Sequence, residues 1–316
     1  MFFTVYQNLK KPIAICSRIA WAALLSLYFS LSVSATQLEI VKGFNEQGLP
    51  SNLWLQAVRT RHSNQSWLEL HQSKKLMTKT EQLWFEAIEQ QLVAFNKATS
   101  GIHISFDGIT PPQKVNILIG NQGGNDGFTL GLDTICFDLA DWVRAYGHPD
   151  KSTRIVRVLS HEYSHLLTKL WLKEHQVKME TPLDRALWYL FYEGLGTYRS
   201  LSEKWFAADK TPSKLAQKTL AELTPIFVEQ LIKLRSATEE NENQLTRNMT
   251  SGSFRKQWGS LTVGIWLANE SKGDDAKLTQ WINSGPEGIL ILAKKYLPQA
   301  HKEKLMAGLK NHQSEE

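Results

Sequence analysis

Residues 159–170 read LSHEYSHLLTKL, inside a stretch, 152–175, whose apolar positions recur at helical spacing. Ile155, Leu159, Leu166 and Leu170 fall on one side, with Val156, Tyr163, Leu167 and Trp171 beside them. Asp150 or Ser152 suits the cap of such a helix. On that helix His161 and His165 project from one face about a turn apart. Two imidazoles so placed can hold one divalent cation, and Glu162, about 100° around from His161, can touch a ligand of that cation without binding it. Zinc chemistry suits the arrangement, because bound water becomes acidic near pH ~7 and a neighbouring carboxylate can take its proton. The H-E-x-x-H pattern arises by accident in roughly one or two chains per hundred of this composition, so its context has to be weighed.

A tetrahedral site needs a third protein ligand. His175 cannot supply it: ten residues beyond His165 is ~15 Å along the axis and roughly 80° away in direction. No further histidine follows in H-x-x-G-x-x-H spacing. A second helix begins at TPLD, with Thr181 as cap, Pro182 in the first turn and Asp184 closing a capping box. It runs through RALWYLFYEGLGTYRSL and offers Glu193. If the two helices fold back through the turn at 178–181, Glu193 returns beside the histidines. Gly194 and Gly196 flank it, and each costs about 1 kcal/mol against alanine inside a helix. Close approach of the second helix to the first accounts for both. Thr197, one turn after Glu193, could hydrogen-bond a ligand histidine.

H-E-x-x-H followed by a distant glutamate in an E-G-L-G context resembles the gluzincin metallopeptidases, the thermolysin-like clan. The resemblance covers about residues 155–200. It implies that His161, His165 and Glu193 hold Zn2+ and that Glu162 is the general base for hydrolysis of a peptide or protein substrate. It also implies a zincin-like α+β fold: a small N-terminal mixed sheet with helices, then a mainly helical C-terminal half. The stretch DGFTLGLDTICFDL resembles the sheet edge on which such enzymes lay an extended substrate. Two departures stand out. Many clan members carry an acid where this chain has Thr197. No clear oxyanion-stabilising Tyr or His is evident either, since Tyr189 and Tyr198 suit packing. A degenerate zincin that binds without turnover is therefore the alternative. A di-iron carboxylate protein would need two E-x-x-H elements, and only one is present.

The rest of the chain sets the frame. Residues 1–35 read as a signal peptide: Lys10, Lys11 and Arg18 precede an apolar run of about 15 residues, short of the ~20 needed to span a bilayer. Val33-Ser34-Ala35 suits cleavage after Ala35. The remaining 281 residues carry net charge +2, because three of the leader's positive charges leave the whole-chain value of +5. No basic cluster interleaved with aromatics argues for nucleic acid. One cysteine remains, Cys136, so no internal disulfide can form; it reads as a small buried hydrophobe. A periplasmic or secreted protein without a membrane span is the expectation.

Residues 36–150 read as an α/β half and 151–316 as a helical half, together one catalytic unit. In the first, 78–99 reads as one helix, with apolar positions at Leu83, Ala87, Val93 and Phe95. GIHISFDG and KVNILIGN read as strands, and FTLGLDTICFDL as one or two more. In the second, further helices fall at about 213–235, 254–270, 285–296 and 299–311. Arg154 and Arg157 share the His161 side and suit a solvated face or a substrate carboxylate. His103 and His148 read as surface or loop residues, and Trp171 and Trp188 as core.

Overall fold

A computed structural model describes residues 36–61, 76–121, 124, 127–149 and 152–310. The expected signal peptide lies outside the described residues, as does the tail 311–316. From Thr36 onward the described chain is one compact unit of α+β architecture. Its sheet has four strands in the order β1-β2-β4-β3: β1 (Gln37–Lys42), β2 (Lys114–Gly120), β3 (Gly127–Leu130) and β4 (Thr134–Asp138). β1, β2 and β4 are mutually parallel, whereas β3 turns back antiparallel on β4 and forms an edge. Gly131, at φ 61°, permits that reversal. Parallel neighbours need a crossover, and among the described residues three helices lie in it between β1 and β2: α1 (Asn52–Arg61), α2 (Lys79–Gln90) and α3 (Leu92–Ile104).

β2 is buried on both faces, which its continuous apolar run requires. Val115, Ile117 and Ile119 enter the main core, while Leu118 faces the other way into a smaller cluster with Trp54, Ala57 and Val58 of α1, Phe128 and Cys136. Gly120 makes room for Trp54, because a Cβ there would sit 1.9 Å from the indole. Trp54 then donates its Nε1–H to the Asn121 carbonyl at 2.7 Å.

Two sequence expectations change here. The helix expected over 78–99 is two helices, broken at Gln91, and its inward residues are Trp84, Phe85, Ile88 and Phe95, with Val93 82% exposed. The strand expected over 102–106 belongs largely to the end of α3. Ile102 and Phe106 are buried, but they stand four apart and so satisfy the helical period as well as the strand period. Ile104 between them is 58% exposed, which removes the alternation.

β4 runs into α4 (Leu139–Tyr146), whose N-cap Asp138 accepts from the Ala140 N–H. The helical half follows: α5 (Ser152–Glu174), α6 (Pro182–Ser200), α7 (Lys214–Arg235), α8 (Glu239–Leu245), α9 (Ser260–Ser271), α10 (Thr279–Asn283), α11 (Gly288–Tyr296) and α12 (Gln299–Lys310). The α6 start is as the sequence indicates: Thr181 Oγ1 accepts from Asp184 N at 3.1 Å and Asp184 accepts from Thr181 N at 3.0 Å. α9 is buried all round from Ser260 to Ala268, with Leu261, Val263, Ile265 and Leu267 at 1% exposure or less. Each such side chain contributes roughly 1.5–3 kcal/mol relative to exposure. The helix expected over 254–270 starts later, after a short 3-10 turn at Phe254–Lys256.

Candidate metal centre

α5 passes beneath the edge of the sheet, and α6 returns alongside it with residue order reversed. Gly196 of α6 lies against His161, Tyr192 against His165, and Phe191 against Trp171. Gly196 has a steric reason, since a Cβ there would come within 2.8 Å of the His161 ring. Gly194 has a different one from that expected. It faces α9, where a Cβ would reach 2.4 Å from Val263. α6 is therefore pinched between the histidine helix on one side and the buried α9 on the other.

This pinch brings three ligand atoms together. His161 Nε2 and His165 Nε2 are 2.9 Å apart, and Glu193 Oε2 is 3.7 Å from the first and 3.6 Å from the second. The circle through these three atoms has a radius of about 2.0 Å, the length of a Zn–N or Zn–O bond. Two imidazole nitrogens and a carboxylate oxygen turned toward one point make a group that could hold a metal ion. The donor set and its spacing fit zinc, and all three expected ligands converge. His161 keeps 21% of its side chain exposed, whereas His165 is buried. Burial pushes the Glu193 carboxyl up, but the opposing His165 and His161 pull it down further, below its usual range.

Glu162 stands beside the triad and not in it. It is 6% exposed and is held against the first residue of β3: a Cβ on Gly127 would lie 2.9 Å from its Oε1. β3 thus runs directly past the carboxylate, and glycine at 127 is what permits the contact.

Two neighbours are absent from the sequence reading. Tyr192 stacks flat on His165, with ring centroids 3.8 Å apart and planes 6° from parallel, and so fixes the imidazole plane. Burial raises its phenol pKa, so it stays neutral. Lys169, one turn beyond His165, donates to Thr129 Oγ1 at 2.6 Å and to the Thr129 carbonyl at 3.2 Å, tying α5 to β3. Burial lowers its pKa, and the charge of Glu162 raises it in part. The i, i+4 step from His165 marks Lys169 in the sequence, but nothing periodic marks Tyr192.

The other singled-out residues divide. His175 stacks on Trp171 and donates through Nδ1 to the Trp171 carbonyl, apart from the triad. Thr197 packs its methyl against Gly264 of α9, and no hydrogen bond joins it to His165. Tyr198 is buried and its hydroxyl pairs with Ser271 and Asp275, each at 2.9 Å, which is the packing role expected. Tyr189 is half exposed on the wall of the cleft, so packing does not describe it. His148 is exposed. His103 is no loop residue: it ends α3 with its ring against Tyr163 and hydrogen-bonds the Tyr163 hydroxyl. Cys136 is fully buried and its thiol is pushed up to about 12, chiefly by burial, which makes it inert. Trp171 and Trp188 are both buried, and Trp188 also lines the cleft.

The triad opens into a cleft of about 1020 Å3 bounded by α5, α6, β3 and the segment around 250–257. Compared with family models, with curated proteins and with solved structures, the chain gives no match in any of the three.

Proposed function

We propose that the protein is an exported zinc-dependent metallopeptidase of the gluzincin type, with a zincin-like catalytic unit. The observation that carries this reading is the convergence of His161, His165 and Glu193 on one point, with Glu162 buried beside it at the mouth of a large cleft. The edge position of β3 supports it too. An extended peptide can add to that edge as a further strand, and Gly127 would bring it past Glu162.

His161, His165 and Glu193 would hold the zinc. Bound there, zinc supplies Lewis acidity that polarises a carbonyl oxygen and acidifies water toward pKa ~7. Glu162 takes a proton from the attacking water and delivers it to the leaving nitrogen as the C–N bond breaks. Tyr192 and Gly196 keep the two imidazoles in place while this happens. Lys169 holds β3 against α5, so that the edge strand and the general base keep their register. Among the described residues no helix is long and apolar enough to cross a membrane.

Treatment with a chelator such as 1,10-phenanthroline should abolish hydrolysis of a mixed peptide substrate, and added Zn2+ should restore it. Hydrolysis indifferent to the chelator would contradict the proposal.

A further inference from the structure

The cleft wall is unequally charged. Arg61, Arg154, Arg157, Lys169 and Lys204 line it, whereas among the described residues its carboxylates are Glu162 and Glu193, both committed to the metal centre. Arg154 and Arg157 are the sharpest case. They stand three apart on α5 and share the face that carries His161. Both are half buried, an unusual state for arginine without an acidic partner. Arg154 lies over the Tyr146 ring at 4.5 Å, and Arg157 donates to Thr153 Oγ1 at 3.2 Å. Among the described residues no carboxylate comes within ion-pair distance of either guanidinium. Burial and the repulsion of Arg154 both disfavour the charge on Arg157, and Glu203 offsets this only in part. Two like charges on one helix face are destabilising as they stand, and a bound anion would relieve them.

The geometry points to Arg154 and Arg157 as a subsite for a carboxylate of the peptide substrate. This rests on the metallopeptidase reading and names the substrate class for it: acidic peptides. Arg157 lies about 6 Å and Arg154 about 10 Å along the helix from His161. An extended chain advances ~3.3 Å per residue, so the carboxylate falls about two or three residues from the cleaved bond. Guanidinium groups bind carboxylates through paired hydrogen bonds, and Ser200, Ser202 and Lys204 border the same region. The carboxylate can come from an Asp or Glu side chain or from the chain's own C-terminus.

Peptide pairs separate these sources. One pair differs by Glu against Gln two or three residues from the cleaved bond, and another by a free C-terminal acid against its amide. Wild type should favour the acidic member of one pair by about ten- to a hundredfold in kcat/KM, the range for hydrogen bonds to a charged group. The pair that responds identifies the source, and the R154Q/R157Q double variant should lose the preference. Equal kcat/KM within both pairs would overturn the inference. Binding of the same peptides to the zinc-loaded Glu162→Gln chain, by calorimetry, reads the preference without turnover. A chain that cleaves nothing yet binds acidic members tighter through both arginines removes the peptidase reading and keeps the subsite. Equal binding removes the subsite, whatever the activity.

Discussion

Glu162→Gln is expected to lower peptide hydrolysis by about 10²–10⁴-fold, the usual contribution of a positioned general base, while the protein keeps its zinc. Glutamine matches glutamate in shape, so the packing against Gly127 survives. It cannot accept a proton at neutral pH, so the transfer to the leaving nitrogen fails. The fall should appear in kcat with little change in KM, because the group acts in the transition state and not in ground-state binding. Metal content should hold, since the three converging atoms belong to His161, His165 and Glu193. The same variant distinguishes a catalyst from a degenerate zincin that only binds. In a binding protein the substitution would leave function untouched.

The second large effect concerns stability. Asp275→Ala should destabilise the fold by about 3 kcal/mol, because removing one partner leaves a buried charge uncompensated. Arg199, near the end of α6, has only 7% of its side chain exposed and pairs with Asp275. Its other terminal nitrogen donates to Ser105 Oγ at 3.1 Å, just past the end of α3. Asp275 also accepts from the Tyr198 hydroxyl. Burial pushes that phenol up to about 12, so the hydroxyl remains a donor at physiological pH and loses an acceptor in the variant. The pair therefore pins the C-terminal end of the helix that carries Glu193. Thermal unfolding should show a fall of about 5 °C for a chain of this size. Replacing both partners, R199M with D275L, should recover much of the loss, because two apolar groups leave no unpaired charge. An unchanged midpoint for Asp275→Ala would show that solvent satisfies Arg199.

The helices bearing the site were legible because several local signals agree there. α5 combines a long apolar period with the two histidines, and α6 opens with a complete capping box and a proline in its first turn. The edge hairpin was legible from β-rich runs broken at Gly131. The N-terminal half read less well for physical reasons. β1 has no fully buried residue to set an alternating pattern, and it depends on its parallel pairing with β2. The end of α3 resembles a strand in sequence because buried positions four apart fit both periods. The short helices α8 and α10 carry too few turns to show a period. At the site, the identity of the ligands lay in spacing, but Tyr192 is a contact across two helices and no single-helix pattern reveals it. Gly194 illustrates the same limit: a helix glycine signals close approach without saying to what.

Zinc content of the purified protein, compared between wild type and the variants His161→Ala, His165→Ala and Glu193→Ala, tests the account most directly. One zinc per wild-type chain, lost in all three variants, is the result expected. A wild-type chain that takes up no zinc, or a Glu193→Ala chain that retains it in full, would contradict the account.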